Sequence, residues 1–250
     1  MPALFWIYWL VGMAFTTAVG ALIMRRWRDT YGWGILVSIL TAYLLVNTAL
    51  ASRAVTVTVF GLTLTLLSGT LVWPFTSQIV DMINEVYGGR KAYVAAAMGY
   101  LGRIIFVLVA GAAAYLTPKW GLGSPQELWW QSYFGQMPRI VAAAAVSYGV
   151  VQWLNIYVFV KFKRKTMPTE TDLWSTVKGG FLRSWGGDFF GDLVDGPVFY
   201  FLAFAGVMPW PVLWSLIVGA TGTKMIINQI DLPYYALFRV LLGTKIKKDY

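Results

Sequence analysis

Four groups of polar residues interrupt the apolar stretches of this sequence at helical spacing. In the first group, Gln78, Asp81, Asn84 and Gly88 step by three or four residues, and Glu85 lies beside Asn84. On a helix, this spacing forms one polar stripe. A carboxylate accepts N–H donors and an amide both donates and accepts, so the stripe suits a polar ligand held by hydrogen bonds. Because such groups are costly in a hydrocarbon layer, we interpret the stripe as a functional site.

The other three groups follow later in the chain, two of them with a spacing of four and then three residues. They are Asp188, Asp192 and Asp195; Lys224, Asn228 and Asp231; and the pair Gln152 and Asn155. Each group occupies one face of its own helix. We therefore expect the four polar faces to meet in a shared cavity that binds the substrate.

The acids in these groups outnumber the bases that could pair with them. The acids are Asp81, Glu85, Asp188, Asp192, Asp195 and Asp231, whereas Arg103 and Lys224 are the clearly intramembrane bases. Arg103 and Lys224 could neutralise an acid each and act as structural contacts between helices. The remaining acids must be solvated, protonated or paired with a ligand, which favours a binding site over structural contacts alone.

Transmembrane helices must position these residues. The chain of 250 residues is 58% hydrophobic and 12% charged, with a mean hydropathy of +0.62, whereas a soluble domain carries about 25% charged residues. We predict an all-α integral membrane protein, a polytopic bundle of about seven transmembrane helices at ~20 residues per span. The whole chain, 1–250, is expected to form a single transmembrane domain.

Continuous apolar runs set the limits of the predicted spans, which are 3–24, 34–51, 62–87, 92–116, 137–159, 181–207 and 211–242. Pro74 is expected to kink or break the third span. The alternation from Val55 to Val59 is strand-like and suggests an extended or re-entrant segment before it. Residues 117–135 are expected to form an interfacial loop and residues 166–176 a solvent loop.

The distribution of basic residues predicts the orientation in the cell membrane. One set of alternate loops, with the C-terminus, holds Arg25, Arg26, Arg28, Arg90, Lys91, Lys161, Lys163, Arg164, Lys165, Lys178, Arg183, Lys245, Lys247 and Lys248, whereas the other set holds Arg53, Lys119 and Arg139. By the positive-inside rule, the N-terminus lies outside and the C-terminus in the cytoplasm. This asymmetry accounts for the formal charge of +9, so we expect a lipid bilayer and no nucleic acid as partner.

The residue types that are missing restrict the chemistry. The sequence contains no cysteine and no histidine, which excludes disulfides, thiol nucleophiles and imidazole metal ligands. We expect no cofactor, no metal and no catalytic residue, although Mg²⁺ bound to carboxylates alone is left open. Nothing in the sequence fixes the oligomeric state, and a homodimer is one arrangement left open.

Aromatic residues beside the polar groups are candidates for stacking on a planar ligand. They are Trp73, Phe75, Tyr157 and Phe199, with Trp153 and Tyr234 as further members. An aromatic ring can stack on a planar heterocycle, because both present flat π-faces. The sequence does not decide which of these rings contact the ligand.

Several of these segments resemble the queuosine precursor transporter family of bacterial and archaeal membrane proteins. The resemblance extends over residues 35–240 and is carried by Asn47–Arg53, Pro74-Phe75, Asp81-Met82-Ile83-Asn84-Glu85-Val86-Tyr87-Gly88, Gln152 before Asn155, Gly191-Asp192-Leu193-Val194-Asp195, and Lys224 followed by Leu232-Pro233 and Tyr235. Two features depart from the family pattern. Asp192 stands where an amide is usual, and the helix at 3–24 is additional to a six-helix core.

The resemblance implies a transporter, not an enzyme, that imports a 7-deazaguanine such as preQ0 or preQ1, or queuine, for tRNA modification. A guanine-like edge offers N–H donors, which we assign to Asp81 and Asp195, and a carbonyl that Gln152, Asn155 or Lys224 would satisfy. Pro74 and the glycines at 186, 187 and 191 are candidate hinges or helix breaks for alternating access.

Other functions are less well supported by the sequence. An intramembrane enzyme could use the clustered aspartates, but Asp192-Leu193-Val194-Asp195-Gly196 matches only part of the acid motif of lipid-alcohol phosphotransferases. No filter sequence typical of an ion channel is present. The residues are also compatible with a structural membrane subunit, and with a transporter of another planar heterocycle or vitamin.

Overall fold

The computed structural model describes residues 2–51, 53–59, 61–114, 116, 124–135 and 137–242. Within these ranges the elements are α1 (Pro2–Trp27), α2 (Gly32–Leu50), β1 (Ala54–Val59), β2 (Leu62–Leu67), α3 (Trp73–Tyr87), α4 (Gly89–Ala114), α5 (Pro125–Gly135), α6 (Met137–Thr166), α7 (Leu173–Phe204) and α8 (Trp210–Leu242). Short 3-10 turns at Ser68–Val72 and Met167–Thr169 precede α3 and α7.

Five of the helices in the described ranges are long and apolar enough to cross a membrane, namely α1, α2, α4, α6 and α8. Helix α7 is 32 residues long but carries several charged residues, and α3 has only 15 residues, fewer than the ~20 that span a bilayer. The all-α polytopic membrane fold is therefore confirmed. The count of seven spans stays a prediction.

The third predicted span, 62–87, was wrong in its first part, because α3 begins only at Trp73. Its first part pairs with the preceding segment in an antiparallel hairpin of β1 and β2, which turns at Gly61 with a φ of 81°. Alternating Val, Thr and Leu residues favour this extended conformation, so the prediction of an extended lead-in is confirmed. Pro74 lies in the first turn of α3, where a proline costs no hydrogen bond, so it begins the helix instead of kinking it.

Two predicted loops are shorter than expected. Residues 125–135 form α5 instead of a loop, while residues 117–123 lie outside the described residues. Helix α6 continues to Thr166, and α7 already begins at Leu173 because Asp172 caps it. The Asp172 carboxylate accepts a hydrogen bond from the Ser175 backbone N–H at 2.8 Å, and the Asp172 N–H donates to the Ser175 hydroxyl at 3.1 Å, which completes a capping box.

The glycines of α7 do not break the helix. Helix α7 is continuous from Leu173 to Phe204, so a helix break at positions 186–191 was wrong, and a hinge there stays a prediction. A Cβ at Gly187 would lie 2.9 Å from the Asn155 side-chain oxygen, and one at Gly191 would lie 3.3 Å from Val151. These glycines let α6 and α7 approach closely, which brings their polar faces together.

Helix α3 lies at the centre of the bundle. Every residue from Trp73 to Val86 is buried, and α3 contacts α1, α2, α4, α6, α7 and α8. Its polar stripe therefore faces protein, while other helices face lipid through apolar residues such as Leu101, Ile105 and Leu108 of α4. Helix α3 can be polar and short because the surrounding helices separate it from the bilayer.

The two ends of the bundle differ in charge and in structure. The Tyr87 hydroxyl donates a hydrogen bond to the Arg28 carbonyl oxygen at 2.6 Å, so the ends of α1 and α3 lie together. This end, here called the basic end, carries Arg25, Arg26, Arg28, Arg90, Lys91 and the residues 161–165. At the opposite end, the hairpin end, β2 packs on α8 and approaches α7, where the Leu67 N–H lies 3.5 Å from the Tyr200 hydroxyl.

Candidate functional site

A cavity of about 50 Å³ lies between the hairpin end and the bundle centre. Its walls come from α2, the hairpin, α3, α4, α6, α7 and α8, and consist of Asn47, Ala51, Leu67, Gly69, Thr70, Trp73, Arg103, Ala144, Tyr148, Asp195, Phe199, Tyr200 and Lys224. Four of the predicted site residues, Asp195, Lys224, Trp73 and Phe199, are brought together here. The cavity combines aromatic walls with one acid and two bases.

A buried ion pair crosses the cavity wall from α7 to α8. The Lys224 ammonium group contacts the Asp195 carboxylate, and the Ser147 hydroxyl donates to the same carboxylate at 2.5 Å. The Lys224 nitrogen also lies 4.1 Å from the centre of the Trp73 ring. A cation over an aromatic face in a desolvated site is stabilised by about 2 kcal/mol, so Trp73 and Asp195 together hold Lys224 in place.

Aromatic rings and Arg103 form a further part of the cavity wall. Trp73 meets Tyr148 edge to face at 6.2 Å, and Tyr148 stacks on Tyr100 at 5.4 Å. Arg103 is only 4% exposed and lies 5.7 Å from the centre of the Tyr100 ring. Arg103 forms no salt bridge with an acid among the described residues. It lies within electrostatic range of Asp195 of α7 and contributes positive charge to the cavity.

Four buried carboxyl groups form an acid cluster beside the cavity, towards the bundle centre: Asp81 of α3, Asp188 and Asp192 of α7, and Asp231 of α8. Ser184 donates to Asp81 at 2.7 Å, and Asn155 donates to Asp188 at 2.8 Å. Ser77 also donates to Asp188, and Asn228 donates to Asp192.

The acid cluster has hydrogen bonds but few cations. Lys224 lies within electrostatic range of Asp192 but contacts Asp195. Arg183 lies within electrostatic range of Asp81 but pairs with Glu85 and Glu170. Among the described residues, no group of three or more acids converges closely enough to hold a metal ion. The hydroxyl and amide donors around the cluster instead exchange hydrogen bonds with its carboxylates.

Several polar atoms around the cavity and the acid cluster are buried without a partner in the described chain. They include both amide atoms of Gln152 and one oxygen each of Asp81, Asp192, Asn155 and Asn228. An unpaired buried donor or acceptor costs roughly 1–3 kcal/mol. Several such atoms in one region indicate that these groups form hydrogen bonds either to water or to a polar ligand that passes through the bundle.

Three helices carry these residues towards the basic end, with polar side chains on successive turns. The polar file consists of Trp73, Ser77, Asp81 and Glu85 on α3; Asp195, Asp192, Asp188 and Ser184 on α7; and Lys224, Asn228, Asp231, Tyr235 and Arg239 on α8, all of them buried. It connects the cavity, through the acid cluster, to a group of ion pairs near the basic end. The file supplies polar contacts along most of the bundle.

The polar file ends in an ion-pair ring of Glu85, Arg183, Glu170 and Arg239. Arg183 lies 3.2 Å from Glu85 and 2.5 Å from Glu170, while Arg239 lies 2.5 Å from Glu85 and 2.9 Å from Glu170. The Tyr235 hydroxyl donates to Glu85 at 3.1 Å. The ring joins α3, α7, α8 and the turn before α7. It closes the bundle between the acid cluster and the basic end.

Some predicted site residues lie away from the cavity. Glu85 belongs to the ion-pair ring, and Asn84 lies near the start of α4, beside Gly89. Phe75 packs between Trp9 and Tyr43 in the apolar core, at ring distances of 5.6 and 5.1 Å. Tyr157 is half exposed and stacks on the exposed Trp153 at 5.6 Å, on the outside of α6. The structure places Gln152 and Asn155 on the inner face of α6.

Sequence reasoning missed several residues of the site that helical spacing could have identified. Tyr148 lies four residues before Gln152, and Ser184 lies four residues before Asp188, so each extends a stripe that was already recognised. Ser147 also faces Asp195. A hydroxyl group in an apolar helix is common and has a low free-energy cost, because it can bond to the backbone of its own helix. These residues therefore gave no signal of their own.

Comparisons with known proteins identify relatives of this chain. Residues 67–238 match the sequence model of a family described as "putative vitamin uptake transporter". A "probable queuosine precursor transporter" of Bacillus subtilis (strain 168) is 27% identical over 179 residues, which cover 72% of this chain and 73% of that protein. No solved structure matches. These matches confirm the resemblance predicted from the sequence, and they support a transporter and not an enzyme.

Proposed function

The chain belongs to this family of uptake transporters, and on that premise we propose that it imports a queuosine precursor across the cell membrane. The substrate class is a 7-deazaguanine such as preQ0 or preQ1, or queuine. The observation that carries the proposal is the cavity, where buried aromatic rings adjoin the Lys224–Asp195 ion pair. A flat, polar base needs both kinds of contact.

The Lys224–Asp195 pair matches the two sides of a guanine-like edge. The Asp195 carboxylate accepts the N–H donors of the base, while Lys224 donates to its carbonyl oxygen. A bound base would thus replace the contact between the two side chains with one contact to each of them. Trp73, Tyr148 and Phe199 pack against the ring faces. Gln152 lies one turn beyond Tyr148 on α6 and offers a further buried donor and acceptor outside the cavity lining.

Within this proposal, the structure corresponds to an occluded conformation of the transporter. The cavity of about 50 Å³ is smaller than a purine base. The hairpin covers it on one side, and the ion-pair ring closes the bundle on the other. Uptake requires these closures to open in turn, so that the base enters at the hairpin end and leaves along the polar file. Asp81, Asn155, Asn228 and Asp231 would then contact the base in transit.

Uptake of labelled preQ1 by cells or proteoliposomes tests the proposal. Asp195→Asn should abolish uptake because the amide cannot accept both N–H donors or pair with Lys224, and Asp81→Asn should abolish it by interrupting the polar file. Asp172→Asn is the matched control, since Asp172 is exposed and caps α7 outside the cavity. Normal uptake by Asp195→Asn and Asp81→Asn at wild-type protein level would refute the site.

We also propose that the N-terminus lies outside and the C-terminus in the cytoplasm. Arg25, Arg26, Arg28, Arg90, Lys91 and the basic residues of 161–165 lie at the basic end, whereas Lys119, Lys245, Lys247 and Lys248 lie outside the described residues. The chain has no cysteine, so the reaction of a single introduced thiol shows on which side of the membrane that residue lies. Thr63→Cys, in the exposed hairpin, should react with an impermeant thiol reagent in whole cells, and Thr30→Cys should not. The reverse pattern would overturn the orientation.

A second candidate substrate class is another planar heterocycle or a vitamin, as the description of the matching family suggests. Its recognition would use the same aromatic walls and the same ion pair. Competition of preQ1 uptake by unlabelled heterocycles separates the two. Competition by preQ0 and queuine alone supports a deazaguanine transporter, while stronger competition by a vitamin would reassign the substrate.

A further inference from the structure

A second cleft, of about 470 Å³, lies at the basic end and is separate from the cavity and the acid cluster. It is formed where α3 ends, α4 begins and α6 passes both of them. Here it is called the α4 cleft, defined by Asn84, Gly89, Arg90, Ile156, Tyr157 and Arg164. None of these residues lines the cavity at the hairpin end.

The lining of the α4 cleft is positively charged. Arg90, Lys163 and Arg164 line it, and no acid does so among the described residues. Lys163 is already engaged, because its ammonium group donates to the carbonyl oxygens of Asn84 and Glu85 at 3.1 and 2.6 Å. Arg90 and Arg164 are exposed and form no ion pair within the described part of the chain. Two guanidinium groups therefore remain to bind an anion.

The N-terminus of α4 opens into the same cleft. Gly88 has a φ of 81°, a conformation that suits glycine, and it lets the chain turn directly from α3 into the 26-residue helix α4. The first N–H groups of a helix have no acceptor within the helix. Together with the helix dipole, they favour a negative group at this position.

An independent observation points to a ligand here. Asn84 is 0% exposed, and neither atom of its side-chain amide has a partner in the described chain. Its oxygen lies 3.9 Å from the position that a Cβ on Gly89 would occupy, so the amide sits under the start of α4. Leaving both amide atoms unpaired is unfavourable, and the Asn84 N–H₂ group can donate to an anion in the cleft.

We propose that the α4 cleft binds a phosphate group through Arg90, Arg164, the N–H groups at the start of α4 and the Asn84 amide. Arginine pairs of this kind bind phosphate oxygens in a bidentate manner. The apolar side of the cleft, with Ile156 and Tyr157, adjoins the lipid-facing surface of α6. The phosphate belongs either to an anionic phospholipid headgroup or to a free phosphate compound. The site does not depend on which base the transporter carries.

Thermal unfolding of the purified protein in neutral detergent tests this site. The probes are inorganic phosphate, with sodium chloride at matched ionic strength, and short-chain phosphatidylglycerol. The variants are Arg90→Gln/Arg164→Gln and Asn84→Asp, which places a negative charge in the cleft. The matched control is Arg25→Gln/Lys165→Gln, because it removes the same charge from exposed positions outside the cleft.

The proposal predicts a concentration-dependent rise in melting temperature for wild type and control. The half-saturating concentration should be raised roughly tenfold or more in both cleft variants, since each loses charge-assisted hydrogen bonds. A shift with inorganic phosphate identifies a site for free phosphate, and a shift with phosphatidylglycerol alone identifies a headgroup site. No shift in wild type with either probe, or an equal response of the control and the Arg90→Gln/Arg164→Gln variant, would overturn the proposal.

Discussion

Breaking the ion-pair ring should destabilise the protein far more than removing an exposed charge. Arg183 is 0% exposed and bridges Glu85 and Glu170. In Arg183→Met, both carboxylates would have to share Arg239. Removing one partner of a buried ion pair costs about 3–5 kcal/mol, because the other charge stays buried without compensation. At roughly 2–4 °C per kcal/mol for a chain of this size, the melting temperature should fall by about 6–20 °C.

The same ring provides a double-mutant test. Glu85→Gln alone should also be destabilising, since it leaves Arg183 and Arg239 with one acid, Glu170. The double variant Glu85→Gln/Arg183→Met removes a charge of each sign, so its cost should be smaller than the sum of the single costs by about 1–3 kcal/mol. Arg26→Met, at an exposed position, is the control and should melt like wild type.

Thermal unfolding in one detergent, followed by tryptophan fluorescence, measures all of these proteins. The reasoning is refuted if Arg183→Met melts within about 2 °C of the control, or if the two single costs add up in the double variant. The sequence placed Glu85 among the substrate contacts. If Glu85→Gln keeps its stability yet loses substrate binding, Glu85 belongs to the substrate site and not to the ring.

Further predictions concern the hairpin and the start of α7. In Gly219→Ala, the new Cβ would lie 2.6 Å from a backbone carbonyl oxygen of β2. The hairpin must therefore move away from α8. Protease cleavage within the hairpin should become faster than in wild type. Hydrogen bonds from Ser175 lower the pKa of Asp172 below its usual value of 3.8, so the cap stabilises α7 above that pH and is lost as the pH falls through the lowered pKa. The difference in melting temperature between wild type and Asp172→Asn should therefore be constant from neutral pH to about 5 and should shrink below about 4; a difference that grows on acidification would contradict the assignment.

The sequence predicted the long apolar helices well, because each is a continuous hydrophobic run. The predicted limits for α1, α2, α4 and α8 agree with the structure to within a few residues. The third span was wrong, because hydropathy alone does not distinguish an apolar hairpin from the first half of a helix. Two local signals, the Val–Thr alternation and Pro74 at the start of α3, carried the information on the true helix start.

The polar stripes were predictable, but their partners were not. Asp81 and Glu85 share one face of α3, yet Asp81 joins the acid cluster and Glu85 joins the ion-pair ring one turn away. Asn84 is next to Glu85 in sequence and faces a different cleft, since adjacent helical residues point about 100° apart. The packing of α6, α7 and α8 decides which neighbour each face of α3 contacts. That packing cannot be derived from the helical spacing of a single sequence.

The most direct test of the proposed transporter is ligand-dependent thermal stability of the purified protein. The ligands are preQ0, preQ1, queuine, guanine and adenine, each measured with wild type and with Asp195→Asn. A ligand at about a hundred times its dissociation constant stabilises the folded state by about 2.7 kcal/mol. We predict a rise in melting temperature with the deazaguanines, a smaller one or none with adenine, and none with Asp195→Asn. A deazaguanine shift that Asp195→Asn retains in full, or no deazaguanine shift in wild type, would contradict the proposed site.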